Sequence, residues 1–341
     1  MKALNTPRSE AEAELIAEYS QKFISNELET AQYIAFCQAL LSSPVENTQV
    51  NNYAALSNRI KRGEIVLFLG SDLLQEYSKH RHQESELVDI LAKKVGYSAF
   101  TGSLSSIAEL YQLLPEYGRT SLLSELHKAL PYSETPIKLY HSLSKVSSPL
   151  VLISSAYDDL LEQAFIQSGK PYVELSSIII RSDDYDIGHV VVRYSDNKHP
   201  ERTYIEEELS SLNLLKQGYS IIYKIRGTCK KELRASERDA LTLSESNYFT
   251  FARYGKKIIP SYLARQFRDR GFLFIGFSPK NWEDRLLVNT LLKKRQYSTE
   301  ACYTIGSSLD KMEAAYWDSC NVREYKANLQ DLDKHLAKAV L

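Results

Sequence analysis

Cysteine is scarce and scattered in this 341-residue chain: Cys37, Cys229, Cys302 and Cys320, with no Cys-x-x-Cys pair. That spacing argues against a structural zinc site and suits reduced thiols. Net charge is nearly absent, −1 from 42 basic and 43 acidic residues. A dedicated nucleic-acid binder carries a basic excess, so no direct nucleic-acid contact is expected. No apolar run approaches the roughly 18 residues that a membrane span needs. The opening segment MKALNTPRSEAEAELIAEYS has no apolar signal core, so the expectation is a cytoplasmic protein without a membrane partner. Gly-x-Ser-x-Gly and Gly-Lys-Ser/Thr are both missing. The histidines give no case for a metal. His80 and His82 stand two apart in a polar loop, and His127 and His141 fall in helical patterns.

What remains is an ordinary globular composition, 43% hydrophobic and 25% charged, without internal repeats. The length suits one large α/β domain with an extension, or two modest domains. Leu15, Ile16, Tyr19, Phe23 and Ile24, then Tyr33, Phe36, Leu40 and Leu41, recur at helical spacing across residues 9–43. A linker over 44–51 follows, then a helix from Tyr53 to Lys61 that stops at Gly63. Residues 1–60 are therefore predicted to be a helical extension, and 61–341 an α/β domain.

From Glu64 the texture changes. EIVLFLG, LVLIS, PYVEL, GHVVVRYS, GYSIIYKIRG, FLFIGF, CYTIG and NVREYK read as strands, and helical patterns separate most of them. Residues 181–220 are less regular, with a polar segment between two strands. IPSYLARQFRDRG reads as a helix stopped by Gly271. Alternating strands and helices predict a doubly wound parallel sheet of Rossmann type.

Four strand ends carry the candidate chemistry. The richest is PLVLISSAYDDLLEQAF, residues 149–165, where a buried strand delivers Ser154 and Ser155 and an acidic turn launches a helix. Ser155 and Asp158 either sit beside a bound ribose, or Asp158 and Asp159 simply cap the helix. After the first strand, Gly70-Ser71-Asp72 permits close backbone approach to a phosphate, or is a plain turn. Arg226 and Gly227 follow YKI, where a cation suits a phosphate or carboxylate, or a solvated loop. Gly276 and Ser278 follow FLFI, with Asp284-Arg285 beyond them as candidates for surface or inter-helix pairs. Each signal is weak alone, but all four fall at carboxyl ends of one predicted sheet, where α/β folds bind ligands.

Taken in order, these segments resemble the sirtuin-like fold, specifically its prokaryotic branch of NAD⁺ hydrolases found in anti-phage defence, over about residues 60–340. LFLGSDLL is similar to that family's strand and Gly-Ala-Gly loop, and LISSAYDDLLEQAF to its Thr-Thr-Asn-Tyr-Asp-x-Leu-Leu-Glu segment. IIYKIRGT is similar to Lys-Leu-His-Gly, LTLSESNYFTF to the segment after it, and FLFIGFSPKNWEDRLL to the Gly-Tyr-Ser segment. The resemblance implies an NAD cleft and a smaller helical and irregular module inserted over 75–140 and 180–215. It also implies cofactor contacts from Gly70, Ser71, Asp72, Ser155, Arg226, Gly227, Gly276 and Ser278.

The departures lie at the reacting positions. The family's catalytic asparagine falls on Ala156 and its histidine base on Arg226, whose guanidinium cannot accept a proton at neutral pH. Asp72 adds negative charge where a diphosphate would lie. The expected function is a nucleotide-sensing or regulatory module that binds NAD or an ADP-ribose-like nucleotide, with hydrolysis lost or weakened. One alternative is an active NAD⁺ hydrolase in which Ser155, Tyr157, Asp158 and Ser278 orient the reaction, with Asp158 or Asp159 as acid–base. Another is a structural subunit, a homo-oligomer or a complex with a protein partner through the N-terminal helices.

Overall fold

The computed structural model describes residues 18, 21, 22 and 25, then 53–77, 83–130, 135–180, 186–196, 199–230, 235–295, 298–306, 309–325 and 328–338. The chain divides into two compact units, Met1–Val50 and Asn51–Leu341. In the first, Lys22 reaches Glu18 one helical turn back at 2.6 Å. The rest of the expected helices over 9–43 lies outside the described residues, as do Cys37, His80 and His82.

The second unit begins with α1 (Tyr53–Lys61) and β1 (Ile65–Leu69). Helices α2 (Leu73–Tyr77), α3 (Gln83–Lys94), α4 (Leu104–Leu113), α5 (Gly118–Ala129) and α6 (Lys138–Ser144) precede β2 (Val151–Ser154). Then come α7 (Leu160–Ser168), β3 (Tyr172–Ser177), β4 (Val190–Tyr194), β5 (Arg202–Tyr204), α8 (Glu206–Ser211) and β6 (Ser220–Lys224). Helices α9 (Ala235–Ala240), α10 (Glu245–Ile258) and α11 (Ser261–Arg268) lead to β7 (Gly271–Ile275) and α12 (Trp282–Lys293). The chain finishes with β8 (Cys302–Ile305), α13 (Lys311–Ser319), β9 (Val322–Glu324) and α14 (Leu329–Lys338).

The strands form one nine-stranded sheet, ordered β5-β4-β3-β6-β2-β1-β7-β8-β9. From β3 to β9 every pairing is parallel. Both faces are covered, which is why IVLFL can be apolar throughout and wholly buried. Strand alternation sorts the core. Val66, Phe68, Ile153 and Phe274 join one cluster with Phe251 of α10, Phe267 of α11, Leu287 of α12 and Trp317 of α13. Ile65, Leu67, Leu152 and Leu273 point the other way, against Ile60 of α1, Leu143 of α6, Phe165 of α7 and Leu336 of α14. Helix α1, grouped with the extension from the sequence, thus packs in the α/β unit.

A third cluster belongs to the helices between β1 and β2. Leu87 and Leu91 of α3, Ile107 and Tyr111 of α4, and Leu122 and Leu126 of α5 pack together and onto Tyr157, Cys229, Leu241 and Leu243. Tyr157 and Cys229 follow the carboxyl ends of β2 and β6, and Leu241 and Leu243 lie between α9 and α10, so the module packs on the carboxyl edge. Its polar fastening is specific. Ser103 donates to Glu283 at 2.7 Å, Ser106 donates to Glu245 at 2.8 Å, and Arg119 donates to the Leu241 carbonyl at 2.9 Å.

The sheet differs from the expectation in three places. Strands β4 and β5 are antiparallel additions at one edge, so two short stretches of 180–215 extend the sheet. The polar segment before β6 holds β5 and α8, whose short, exposed stretches show no apolar alternation. Gly271 opens β7 instead of stopping a helix: α11 ends at Arg268, and Gly271 pairs in register with Ile65.

At the sheet's centre, the Gly70 N–H donates to the Ile275 carbonyl at 2.9 Å. A Cβ on Gly70 would lie 2.6 Å from the Gly276 carbonyl carbon and 2.7 Å from the Phe277 Cα. Gly276 itself has φ +57°, a left-handed conformation. The substitution Gly70→Ala must therefore push two backbone segments apart. It is expected to lower the unfolding free energy by about 2–3 kcal/mol in urea denaturation. A loss below about 0.5 kcal/mol would show that the two loops part freely.

Candidate functional site

Strands β6, β2, β1 and β7 are consecutive neighbours, and their carboxyl ends share one edge. The chain runs from β1 to β2 on one side and returns through β7 on the other, the switch point at which a doubly wound sheet opens a crevice. The loops there are Gly70-Ser71-Asp72 after β1, Ser155 to Asp158 after β2, Arg226-Gly227 after β6, and Gly276 to Ser278 after β7. The sheet brings all four sequence-predicted sites together.

Arg226 is the hub of this edge. Its side chain is buried, and its Nε donates to the Ser155 carbonyl at 2.9 Å. Its Nη2 donates to Ser71 Oγ at 3.2 Å and to Glu84 Oε1 at 2.9 Å, while Nη1 donates to Glu84 Oε2 at 3.4 Å. The guanidinium lies 5.0 Å from the Tyr157 ring centroid, in cation–π range. Burial disfavours its charge, but Glu84 together with Tyr157, Tyr248 and Asp284 more than offsets that cost and raises its pKa further above the usual arginine range. Ser71 and Ser155 are joined as well, with the Ser71 N–H donating to Ser155 Oγ at 3.1 Å.

Sequence reasoning missed Glu84. It lies in the first turn of α3, where an acid is ordinary because it complements the helix dipole. Nothing local marks it as the counter-ion of a residue 142 positions away.

The glycines play a different part from the one expected. Gly70 and Gly276 lie against each other, so the space a Cβ would take is filled by backbone rather than left for a phosphate. Gly227 has φ +78°, and its Cβ would lie 2.5 Å from the Ala240 carbonyl oxygen. All three allow loops to pack closely at the strand ends.

Tyr157 and Asp158 are committed to holding the loop. The Tyr157 hydroxyl donates to the Thr242 carbonyl at 2.7 Å, and burial pushes the phenol up to about 12. Asp158 is 4% exposed, and its Oδ1 accepts the Leu160 N–H at 3.1 Å, holding the start of α7. Lys224 donates to the Asp158 main-chain carbonyl at 2.5 Å. Asp159 accepts from Gln163 at 2.7 Å. Ala156 is buried and adds no polar side chain. Ser278 Oγ is buried without a hydrogen-bond partner among the described residues.

Behind Arg226 lies a second set of buried charges. Lys224 Nζ is 3.4 Å from Glu162, while Glu174 meets Arg193 at 2.6 Å and Lys230 at 2.8 Å. Burial pushes the Glu162 carboxyl up to about 7. Burial also opposes ionisation of Glu174, but Lys230 and Arg193 more than offset it and hold that group low, at about 2. Among the described residues, no group of three or more His, Cys, Asp or Glu is arranged to hold a metal ion. No described helix is long and apolar enough to cross a membrane.

Asp284, in the first turn of α12, belongs to the Arg226 site. Its neighbour Arg285 donates to the carbonyls of Pro279 and Lys280 at 3.0 Å each, so the two do not act as one unit. Asp284 keeps some accessible surface, yet desolvation pushes its carboxyl up to about 7; Arg226 opposes the shift, and Glu84 and Asp72 add to it. A carboxyl whose pKa rises on folding holds its proton more tightly in the folded chain. Its contribution therefore favours folding at low pH and is lost as pH climbs from about 4, its unfolded value, through about 7. Asp284→Asn is expected to raise Tm by a few degrees at pH 8 and to leave it unchanged at pH 4, as read by differential scanning fluorimetry. Equal shifts at both values would show that Asp284 is already ionised at pH 4.

Against known proteins, a family model described as SIR2-like domain matches residues 150–325, just over half of the chain. Among curated proteins no match is found. Solved structures similar to this chain include one described as "Structural Basis for the Mechanism and Regulation of Sir2 Enzymes". It is 11% identical, with a TM-score of 0.37, over 84% of this chain and 96% of that one. The matched region runs from the strand before Ala156, through Arg226, to the last strand of the sheet, and the chain belongs to the SIR2-like family.

Proposed function

We propose that this chain is a nucleotide-sensing module that binds NAD or an ADP-ribose-like nucleotide at the carboxyl edge of its sheet, with hydrolysis lost or weakened. SIR2-like domains generally bind NAD. The observation that carries the reading is Arg226, a permanently charged guanidinium at the centre of the four loops, with Ala156 rather than a polar side chain beside it. A guanidinium fork suits a diphosphate and cannot serve as a base.

The residues present fit such a ligand. Ser278 Oγ is a buried hydroxyl without a partner among the described residues, and Ser71 Oγ accepts from Arg226 at the same sheet edge. These three would hold the anionic and hydroxyl groups of a nucleotide. NAD would bring its nicotinamide–ribose bond to this edge. The chain's own groups at the reacting positions neither accept a proton nor orient water.

One observation favours the alternative, an active hydrolase. Asp284, pushed up to about 7, is a carboxyl able to exchange a proton near neutral pH. Action within a prokaryotic anti-phage system belongs to the same proposal and rests on the resemblance, and a protein partner or second copy rests on the apolar helical spacing over residues 9–43.

Calorimetry with ADP-ribose and NAD⁺, with chromatographic measurement of nicotinamide, tests the reading. Both ligands are expected to bind in the sub-millimolar range without nicotinamide release. The double variant A156N/R226H is expected to gain measurable release. No binding at millimolar ligand would overturn the sensing role. Release by the unaltered chain that Asp284→Asn abolishes would establish the hydrolase instead.

A further inference from the structure

Resting on the nucleotide-binding reading, we infer that Glu84 is a carboxylate latch on Arg226, and that a bound diphosphate must displace it. Occupancy of the sheet edge is thereby passed to helix α3.

Both oxygens of Glu84 engage both terminal nitrogens of Arg226, at 2.9 and 3.4 Å. This two-point contact is the one a phosphate oxygen pair makes with a guanidinium. Glu84 therefore occupies the donors that an anionic ligand would need. The two partners are not equally buried. Arg226 is anchored by its Nε to a main-chain carbonyl and lies over Tyr157, with 5% of its side chain exposed. The Glu84 side chain is 22% exposed and belongs to the first turn of a helix outside the sheet. When a ligand competes, the carboxylate is the group that leaves.

Electrostatics point the same way. Burial, with Glu84 and Asp72 adding to it, already disfavours the ionised form of Asp284, so the site resists further negative charge. A diphosphate added while Glu84 stays would place further anions around one guanidinium, at a cost that grows with desolvation. Exchanging one anion for another avoids that cost. Helix α3 forms the module's core through Leu87 and Leu91, packed with α4 and α5. Release of Glu84 removes a tie between that core and the sheet.

Titration with ADP-ribose separates the outcomes. Glu84→Gln keeps the shape and removes the charge, and is expected to bind ADP-ribose about tenfold more tightly than the unaltered chain. Glu84→Asp, one methylene shorter, should fall between them and serves if the Gln variant does not fold. Glu86→Gln, exposed on the same helix turn, should bind as the unaltered chain does. In the unaltered chain, hydrogen–deuterium exchange of the amides over Gln83–Lys94 should quicken when ADP-ribose is added. Equal affinity of the Glu84 variants and the unaltered chain would overturn the latch and leave the binding function standing. Unchanged exchange over α3 on binding would overturn the relay. No binding by any of the proteins would overturn both readings.

Discussion

The buried charge of Arg226 is the constraint on which this edge of the molecule depends. A guanidinium removed from water is costly unless its donors are met and its charge is balanced. Here the balance comes from three separate stretches of chain. Ser155 supplies a carbonyl from the β2 loop, Ser71 a hydroxyl from the β1 loop, Tyr157 a ring, and Glu84 a carboxylate from the helical module. Losing any one of these contacts leaves the others holding an under-compensated charge. The loops, the module and the sheet edge are thus coupled through one side chain.

The fold supplies the rigidity that such an arrangement needs. Parallel strands buried on both faces fix the heights of their carboxyl ends, and the alternation of IVLFL divides the core between two helical layers. The loops then pack against each other by backbone: Gly70 on Gly276, Gly227 on Ala240, Ser71 N–H on Ser155 Oγ. The acid turn Tyr157-Asp158-Asp159 is spent on the same task. Tyr157 bonds the Thr242 carbonyl, Asp158 the first amide of α7, and Asp159 the side chain of Gln163. Side chains that resemble catalytic groups in the sequence act here to hold the β2 loop in place. Ser278 Oγ has no partner among the described residues, and the Glu84 end of the Arg226–Glu84 pair is partly exposed.

Much of this was legible in one dimension because it depends on near neighbours. Apolar runs of five or six residues identify strands buried on both faces, and the 3.6-residue period identifies α3 to α7 and α12 to α14. Gly63, at φ +68°, ends α1 where a helix stop is expected. Short polar elements carry no such period. Strand β5 and helix α8 exist because they meet an edge strand or a neighbouring helix, and α10 begins where Ser244 and Asn247 complete a capping box.

By itself, the sequence determined the class of fold, the four strand ends and the identity of the residues on them. The sequence alone places an alanine and a guanidinium, Ala156 and Arg226, at two of those ends, and neither side chain accepts a proton at neutral pH. Only the tertiary structure decided which groups meet there. Glu84 and Arg226 are 142 positions apart, and Asp284 comes from a third segment. Charge pairing falls off with distance in space, not along the chain. An acid on the first turn of a helix reads the same whether it faces water or a buried guanidinium. The packing of α3 against the sheet edge makes Glu84 a counter-ion, and burial, with Glu84 and Asp72 adding to it, lifts the Asp284 pKa toward neutrality.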